Sequence, residues 1–192
     1  MSSFKSRCAR LVLRSFGWRI EGERPQPESY VLIAAPHTSN WDFPLMLLFA
    51  AAFDIRIKFL AKHSLFQPPL GWLMRAFGGL PIVRHRNSNV VEDMAATFDG
   101  LGALVIAVPA EGTRTRTDYW KSGFYHIARE AKVPIVPSYL DFGQKRGGFG
   151  PALVPSGDIS ADMQYFRDFY APMQGKFADQ FGPVKLREEE AD

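Results

Sequence analysis

A histidine and an aspartate stand in the block Pro36-His37-Thr38-Ser39-Asn40-Trp41-Asp42, which follows the apolar run Tyr30 to Ala35 and leads into an apolar stretch of helical character. His37 therefore falls at a strand end and Asp42 near a helix start, and ligands in open α/β sheets bind at strand ends. A turn of this length returns the carboxylate to the imidazole. If Asp42 accepts from one ring nitrogen, the other is left as a base, and an ordinary histidine pKa of ~6.5 suits proton abstraction near neutrality. The same spacing also fits an aspartate that caps a helix beside an unrelated histidine.

A second group, Ala110-Glu111-Gly112-Thr113-Arg114, closes the apolar run Ala103 to Pro109. A carboxylate, a flexible glycine, a hydroxyl and a guanidinium at a strand end make a polar binding loop, with Arg114 fit for bidentate phosphate recognition; a turn carrying a surface ion pair is the alternative. A third, Gly79-Leu80-Pro81-Ile82-Val83-Arg84, sets Arg84 at another strand end, where by itself it reads as a solvated arginine.

Short apolar runs that alternate with helical patterns must position these residues. Strands are expected over 30–35, 55–61, 80–84, 103–109 and 134–141, with a weaker one over 149–154. Helical periodicity appears over 42–53, 69–77, 90–101, 122–131 and 160–173, the last with Met163, Phe166, Phe169, Tyr170 and Met173 on one core-facing stripe. This alternation predicts an α/β fold with a largely parallel sheet flanked by helices. A chain of 192 residues with 46% apolar and 22% charged side chains suits one domain, expected over 21–192. Ahead of it, over 1–20, Phe4, Cys8, Leu11, Val12 and Ser15 at helical spacing, with Lys5, Arg7, Arg10 and Arg14 around them, predict a basic amphipathic helix. It either lies on anionic lipid or docks on the domain with a solvated basic face. Glu21 to Ser29 is expected to be a loop, and Glu188 to Asp192 a solvated run.

The net charge of +3 is uneven: residues 1–91 carry 12 basic and 5 acidic side chains, and none of the acidic ones falls in 55–91. Such a half suits an anionic partner. The single Cys8 excludes an internal disulfide framework. The longest nearly uncharged run, Phe43 to Phe53, is well short of the ~20 residues of a spanning helix, so the protein is expected to be cytoplasmic and peripheral on the membrane.

Taken in order, the Pro36–Asp42 block, Gly78-Gly79-Leu80-Pro81-Ile82-Val83-Arg84, Glu111-Gly112-Thr113-Arg114 and Val133-Pro134-Ile135-Val136-Pro137 resemble the four blocks of the glycerolipid acyltransferases of the lysophosphatidic acid acyltransferase type. The likeness extends to Phe59-Leu60-Ala61-Lys62 and to Trp120-Lys121-Ser122-Gly123, and covers about residues 30 to 140. The resemblance implies transfer of a fatty acyl group from acyl-CoA or acyl carrier protein to a hydroxyl of a glycerol phosphate or lysophospholipid-type acceptor. It makes His37 the general base and Asp42 its orienting partner. Arg84 and Arg114 would hold the acceptor phosphate, Glu111 and Gly112 would shape the acceptor site, and Thr113 and Lys62 join the substrate-binding positions. No cofactor and no metal is implied beyond the thioester co-substrate, and an anionic membrane surface is the expected partner.

Two other classes have less behind them. Metal-dependent hydrolysis would enlist His37, Asp42 and Glu111, but His63, His85 and His126 lack a paired ligand spacing such as H-E-x-x-H. A catalytically silent lipid-binding protein has no chemical need of His37, Asp42, Arg84 and Arg114 together. Nucleic-acid binding has only the charge asymmetry in its favour and is not expected.

Overall fold

The central strands are near-continuous apolar runs because both faces of the sheet are covered. The computed structural model describes residues 3–69, 71–82, 90–100 and 103–190. Its strands are β1 (Arg19–Glu21), β2 (Tyr30–Ala34), β3 (Ile57–Lys62), β4 (Gly79–Ile82), β5 (Val105–Val108), β6 (Ile135–Asp141) and β7 (Arg146–Phe149). Its α-helices are α1 (Phe4–Ser15), α2 (Asp42–Ala52), α3 (Gly71–Ala76), α4 (Val90–Gly100), α5 (Gly123–Glu130) and α6 (Ile159–Tyr170). One seven-stranded sheet runs β1-β7-β6-β2-β5-β3-β4, parallel throughout except between β6 and β7. The expected α/β fold, a largely parallel sheet between helical layers behind an N-terminal helix, is the one observed.

Alternation along β2 divides the core. Val31 and Ile33 pack with α4, α5 and α6 on one face, while Tyr30 and Leu32 pack with α1 and α2 on the other. Helix α2 is apolar all round because it lies between α1 and the sheet. The expected stripe of α6 is core: Met163, Phe166 and Tyr170 are buried and Phe169 and Met173 pack beside them.

Three expectations change. The first helix stops at Ser15 because Gly17 adopts φ 77°, so that Gly17 N–H bonds Arg14 C=O and Trp18 N–H bonds Leu13 C=O, a glycine-terminated cap. Its continuation forms β1, too short for any periodicity to announce. The strand expected over 149–154 is instead β7, a hairpin return from β6; Leu153 keeps only an isolated bridge to Ile135, since Pro151 and Pro155 flank it without N–H donors. The acidic end is only partly solvated: Arg187–Glu190 form a 3₁₀ turn in which Glu189 pairs with Arg167 at 2.5 Å and accepts from Leu186 N–H.

The N-terminal helix is docked through Ser6, Ala9 and Leu13, with Ser6 Oγ donating to Ala52 C=O at 2.6 Å. The stripe read from the sequence faces away: Phe4 and Leu11 are 83% and 72% exposed, and Cys8, Val12 and Ser15 are exposed with them. Among the described residues, no helix is long and apolar enough to cross a membrane.

Candidate active site

The chain leaves β2 and turns through residues 36–41 before α2 begins at Asp42. Within that turn Ser39 N–H donates to Asp42 Oδ2 at 2.8 Å, and Trp41 N–H donates to Ser39 Oγ at 2.9 Å. An aspartate in the first turn of a helix is favoured by the helix dipole, so this carboxylate is held in place before it meets any partner. The same Oδ2 lies 3.2 Å from His37 Nδ1. When Nδ1 carries the ring proton it donates to this carboxylate, and the Nε2 lone pair is then open to another proton. The His37 side chain is 18% exposed and that of Asp42 7%, so the pair is partly reachable and largely shielded from water.

From below, the loop after β5 reaches the same residue. Glu111 is fully buried, and its Oε1 accepts the His37 main-chain N–H at 2.5 Å. Its other oxygen, like Asp42 Oδ1 and Trp120 Nε1, is buried with no hydrogen-bond partner among the described residues. Burial pushes the Glu111 carboxyl up to about 7, opposed by the His37 N–H and reinforced by the negative charge of Asp42. At Gly112 the backbone takes φ 68°, and a Cβ there would lie 2.9 Å from Lys121 Cγ, so only glycine fits this turn without displacement. Thr113 and Thr115 share a hydroxyl hydrogen bond of 2.9 Å just beyond, and Arg114 between them is exposed.

A cavity of about 1000 Å³ opens where these two loops meet. One wall is α2, through Phe43, Met46, Phe49 and Ala50, a helical stripe that starts from Asp42. The opposite floor is the sheet, where the small residues Ala34, Ala107 and Ser138, on three adjacent strands, stand among the larger Leu32, Ile57 and Phe59. These three short side chains leave room between the sheet and α2. His37, Asp42, Gly112, Thr113 and Arg114 line its entrance.

Residues 17–141 match the Acyltransferase family. The chain belongs to that family. The 1-acyl-sn-glycerol-3-phosphate acyltransferase of Saccharomyces cerevisiae is 26% identical over 127 residues, which are 62% of this chain and 41% of the yeast protein. The chain thus spans well under two thirds of that relative's length. The crystal structure of the 1-acyl-sn-glycerophosphate (LPA) acyltransferase PlsC from Thermotoga maritima is similar with a TM-score of 0.58 and 19% identity, over 84% of this chain and 72% of that one. At that identity the likeness concerns the fold.

Within this acyltransferase fold, the structure brings together His37, Asp42, Glu111, Gly112, Thr113 and Arg114, four of them at the cavity entrance beside the histidine and Glu111 behind it. Glu111 does not line the cavity; its carboxyl is spent on the His37 main chain. Lys62 ends β3 opposite Ile82 of β4, and its side chain is outside the described part. Arg84 lies outside the described residues. Two features escape a reading of motifs alone. Thr38, 3% exposed, is a hydrogen-bond acceptor next to the histidine. The small floor residues Ala34, Ala107 and Ser138 lie within otherwise bulky strands and belong to no motif.

Proposed function

We propose that this acyltransferase moves a fatty acyl group from an acyl thioester, on coenzyme A or acyl carrier protein, to a hydroxyl of a glycerol phosphate or lysophospholipid acceptor, with His37 as the general base. The observation that carries this reading is the His37–Asp42 pair at the mouth of an apolar cavity, with Arg114 exposed at the same mouth. The yeast relative and the Thermotoga structure, both named as acyltransferases acting on acylglycerol phosphates, support it.

The chemistry balances with these residues. His37 Nε2 takes the proton of the acceptor hydroxyl as its oxygen attacks the thioester carbonyl. Asp42 stabilises the imidazolium. The tetrahedral adduct then breaks its C–S bond, and the proton passes from His37 to the leaving sulfur. A thioester is already activated, so no enzyme nucleophile is needed. General base catalysis supplies about 10² to 10⁴ in rate, and holding two substrates together up to about 7–11 kcal/mol. The apolar space between α2 and the sheet suits the acyl chain, and Arg114, with Arg84, suits the acceptor phosphate.

Access to a lipid acceptor is provided by α1 and the Phe16 that follows it, which expose Phe4, Leu11 and Phe16 among the cations Lys5, Arg7 and Arg14. That combination suits peripheral docking on an anionic membrane. The test is to offer acyl-CoA and acyl carrier protein donors against a panel of glycerol phosphate, lysophosphatidic acid and neutral lysolipids, reading free thiol and product mass. Thiol release that depends on a phosphate-bearing acceptor is expected; no product from any pair would overturn the reading.

A further inference from the structure

Beyond α6, the segment Gln174-Gly175-Lys176-Phe177-Ala178-Asp179-Gln180-Phe181-Gly182 has no helical or strand period and lies outside the residues 17–141 that match the family. It nevertheless runs across both loops of the site. Its start is tied to the end of β6, where Phe142 N–H donates to Gln174 C=O at 2.8 Å. Next, Gly175 is buried against the turn that carries His37: a Cβ there would lie 2.6 Å from Thr38 Oγ1, 2.8 Å from Thr38 Cγ2 and 3.2 Å from Pro36 Cβ. Phe177 N–H donates to Thr38 Oγ1 at 3.3 Å, and the Lys176 ammonium stands 5.0 Å from the centre of the Trp41 ring.

The far end grips the other loop. Gln180 Oε1 accepts from Arg116 N–H at 3.0 Å, and Phe181 C=O accepts from Arg116 Nη1 at 2.9 Å. Gly182 lies against the main chain of Thr117, where a Cβ would come within 3.2 Å of the Thr117 carbonyl carbon. One nine-residue strap, 174–182, therefore touches the turn of His37 at one end and the loop of Arg114 at the other.

We infer that the strap over residues 174–182 is a positioning element of the active site, acting on His37 through Thr38 and on Arg114 through Arg116. Resting on the acyl-transfer reading above, this assigns functions to residues outside the recognised motifs. The turn is held at two successive residues by two different segments, His37 N–H by Glu111 and Thr38 Oγ1 by the strap. A base that must meet a hydroxyl within a few tenths of an ångström loses rate when its loop drifts. The two ends of the strap serve different substrate-facing groups, so they separate in kinetics.

Thr38→Val keeps shape and removes the acceptor; Thr38→Ser keeps the acceptor. With a thioester donor and a phosphate-bearing acceptor, Thr38→Val is expected to lower kcat about fivefold, the effect of one lost hydrogen bond, with acceptor KM within about twofold, and Thr38→Ser to restore kcat. Gln180→Ala is expected to raise acceptor KM several-fold with kcat nearly unchanged. In amide exchange, Phe177 is expected to lose protection in Thr38→Val and retain it in Thr38→Ser. Wild-type kcat in Thr38→Val, equal impairment of the valine and serine variants, or an unaltered Phe177 exchange rate in Thr38→Val would each overturn the strap's role. Absence of transfer by the wild-type protein would instead overturn the functional reading on which it rests.

Discussion

The carboxyl of Glu111 accepts the main-chain N–H of His37 at 2.5 Å across 74 residues of chain, joining the loop after β5 to the turn after β2. The same carboxyl is fully buried, has one oxygen without a partner among the described residues, and is pushed up to about 7 by that burial.

A stability consequence follows from the direction of this shift. The folded protein holds the Glu111 proton up to about pH 7, whereas the unfolded chain releases it near the ordinary value of 4.5. Between those values the native state binds more protons, so stability falls as pH rises through this window and levels above it. Chemical denaturation from pH 4.5 to 8 is expected to show this decline in the wild type and a flatter profile in Glu111→Gln, whose amide oxygen still accepts the His37 N–H. Glu111→Ala leaves that buried N–H unpaired and is expected to cost about 1–3 kcal/mol. A Glu111→Gln profile as steep as the wild type would remove Glu111 from the pH dependence.

His37→Ala is expected to reduce transfer by about 10² to 10⁴ with little change in thermal midpoint, because the imidazole contributes a base and few core contacts. Asp42→Asn is expected to cost the same or less in rate, and also stability, since Asp42 holds Ser39 N–H as well as His37 Nδ1. Single-turnover measurements with excess enzyme isolate the chemical step. Near-normal turnover by His37→Ala would end its assignment as base.

How much of this was legible in the chain depends on range. His37 with Asp42 and Glu111 with Arg114 were readable because each group sits within a few residues at the end of an apolar run. The alternation of strand and helix predicted the layered sheet for the same reason. The Glu111–His37 link was not readable, since nothing local says which main-chain donor a buried carboxyl will meet. Strand β1 was hidden because three residues carry no period, and β7 because Gly147 and Gly148 contribute no side chains to alternate. The strap carries neither period nor motif; its contacts exist only once β6 and α6 are in place. Gly17, by contrast, was a visible stop signal that outweighs the continuing apolar pattern at Trp18.

Arg114→Ala is expected to raise acceptor KM and leave donor KM little changed, with the loss of charge-assisted hydrogen bonds worth about 1.5–3 kcal/mol. Its exposure at the entrance gives it no structural duty in the core. Initial rates at saturating donor, with acceptor varied, read the effect. An unchanged acceptor KM would point to an uncharged acceptor.

Cavity depth is testable on α2. Ala50 lines the wall eight residues after Asp42, which on a helix is about 12 Å further from the dyad. Ala50→Leu is expected to depress transfer of long acyl chains while short chains continue to react, measured as kcat/KM over a series of chain lengths. A uniform loss for every length would mean that the acyl chain runs elsewhere.

The outward face of α1 separates docking on a membrane from packing on the protein. Deleting residues 1–18 confounds the two, because Ala9, Leu13 and Trp18 are buried in the core that includes Phe49 and Phe53 of the α2 region. Substitution separates them. Phe4, Leu11 and Phe16 are 83%, 72% and 68% exposed, so replacing all three with serine is expected to leave the thermal midpoint unchanged. Burying such side chains in a lipid interface is worth up to about 1.5–3 kcal/mol each, and each nearby cation adds up to about 1 kcal/mol on an anionic leaflet. The triple serine variant is therefore expected to bind vesicles containing anionic lipid at least about tenfold more weakly, and the wild type to lose binding as salt shortens the screening length. Leu13→Ala should do the opposite, costing about 2–5 kcal/mol of stability through the cavity it leaves while vesicle binding of the folded fraction persists. Transfer to water-soluble glycerol phosphate is expected to survive the serine substitutions, and transfer to lysolipid in vesicles to fall with binding. Vesicle affinity equal to wild type in the triple serine variant would remove α1 from the membrane contact and leave it as a packing element alone.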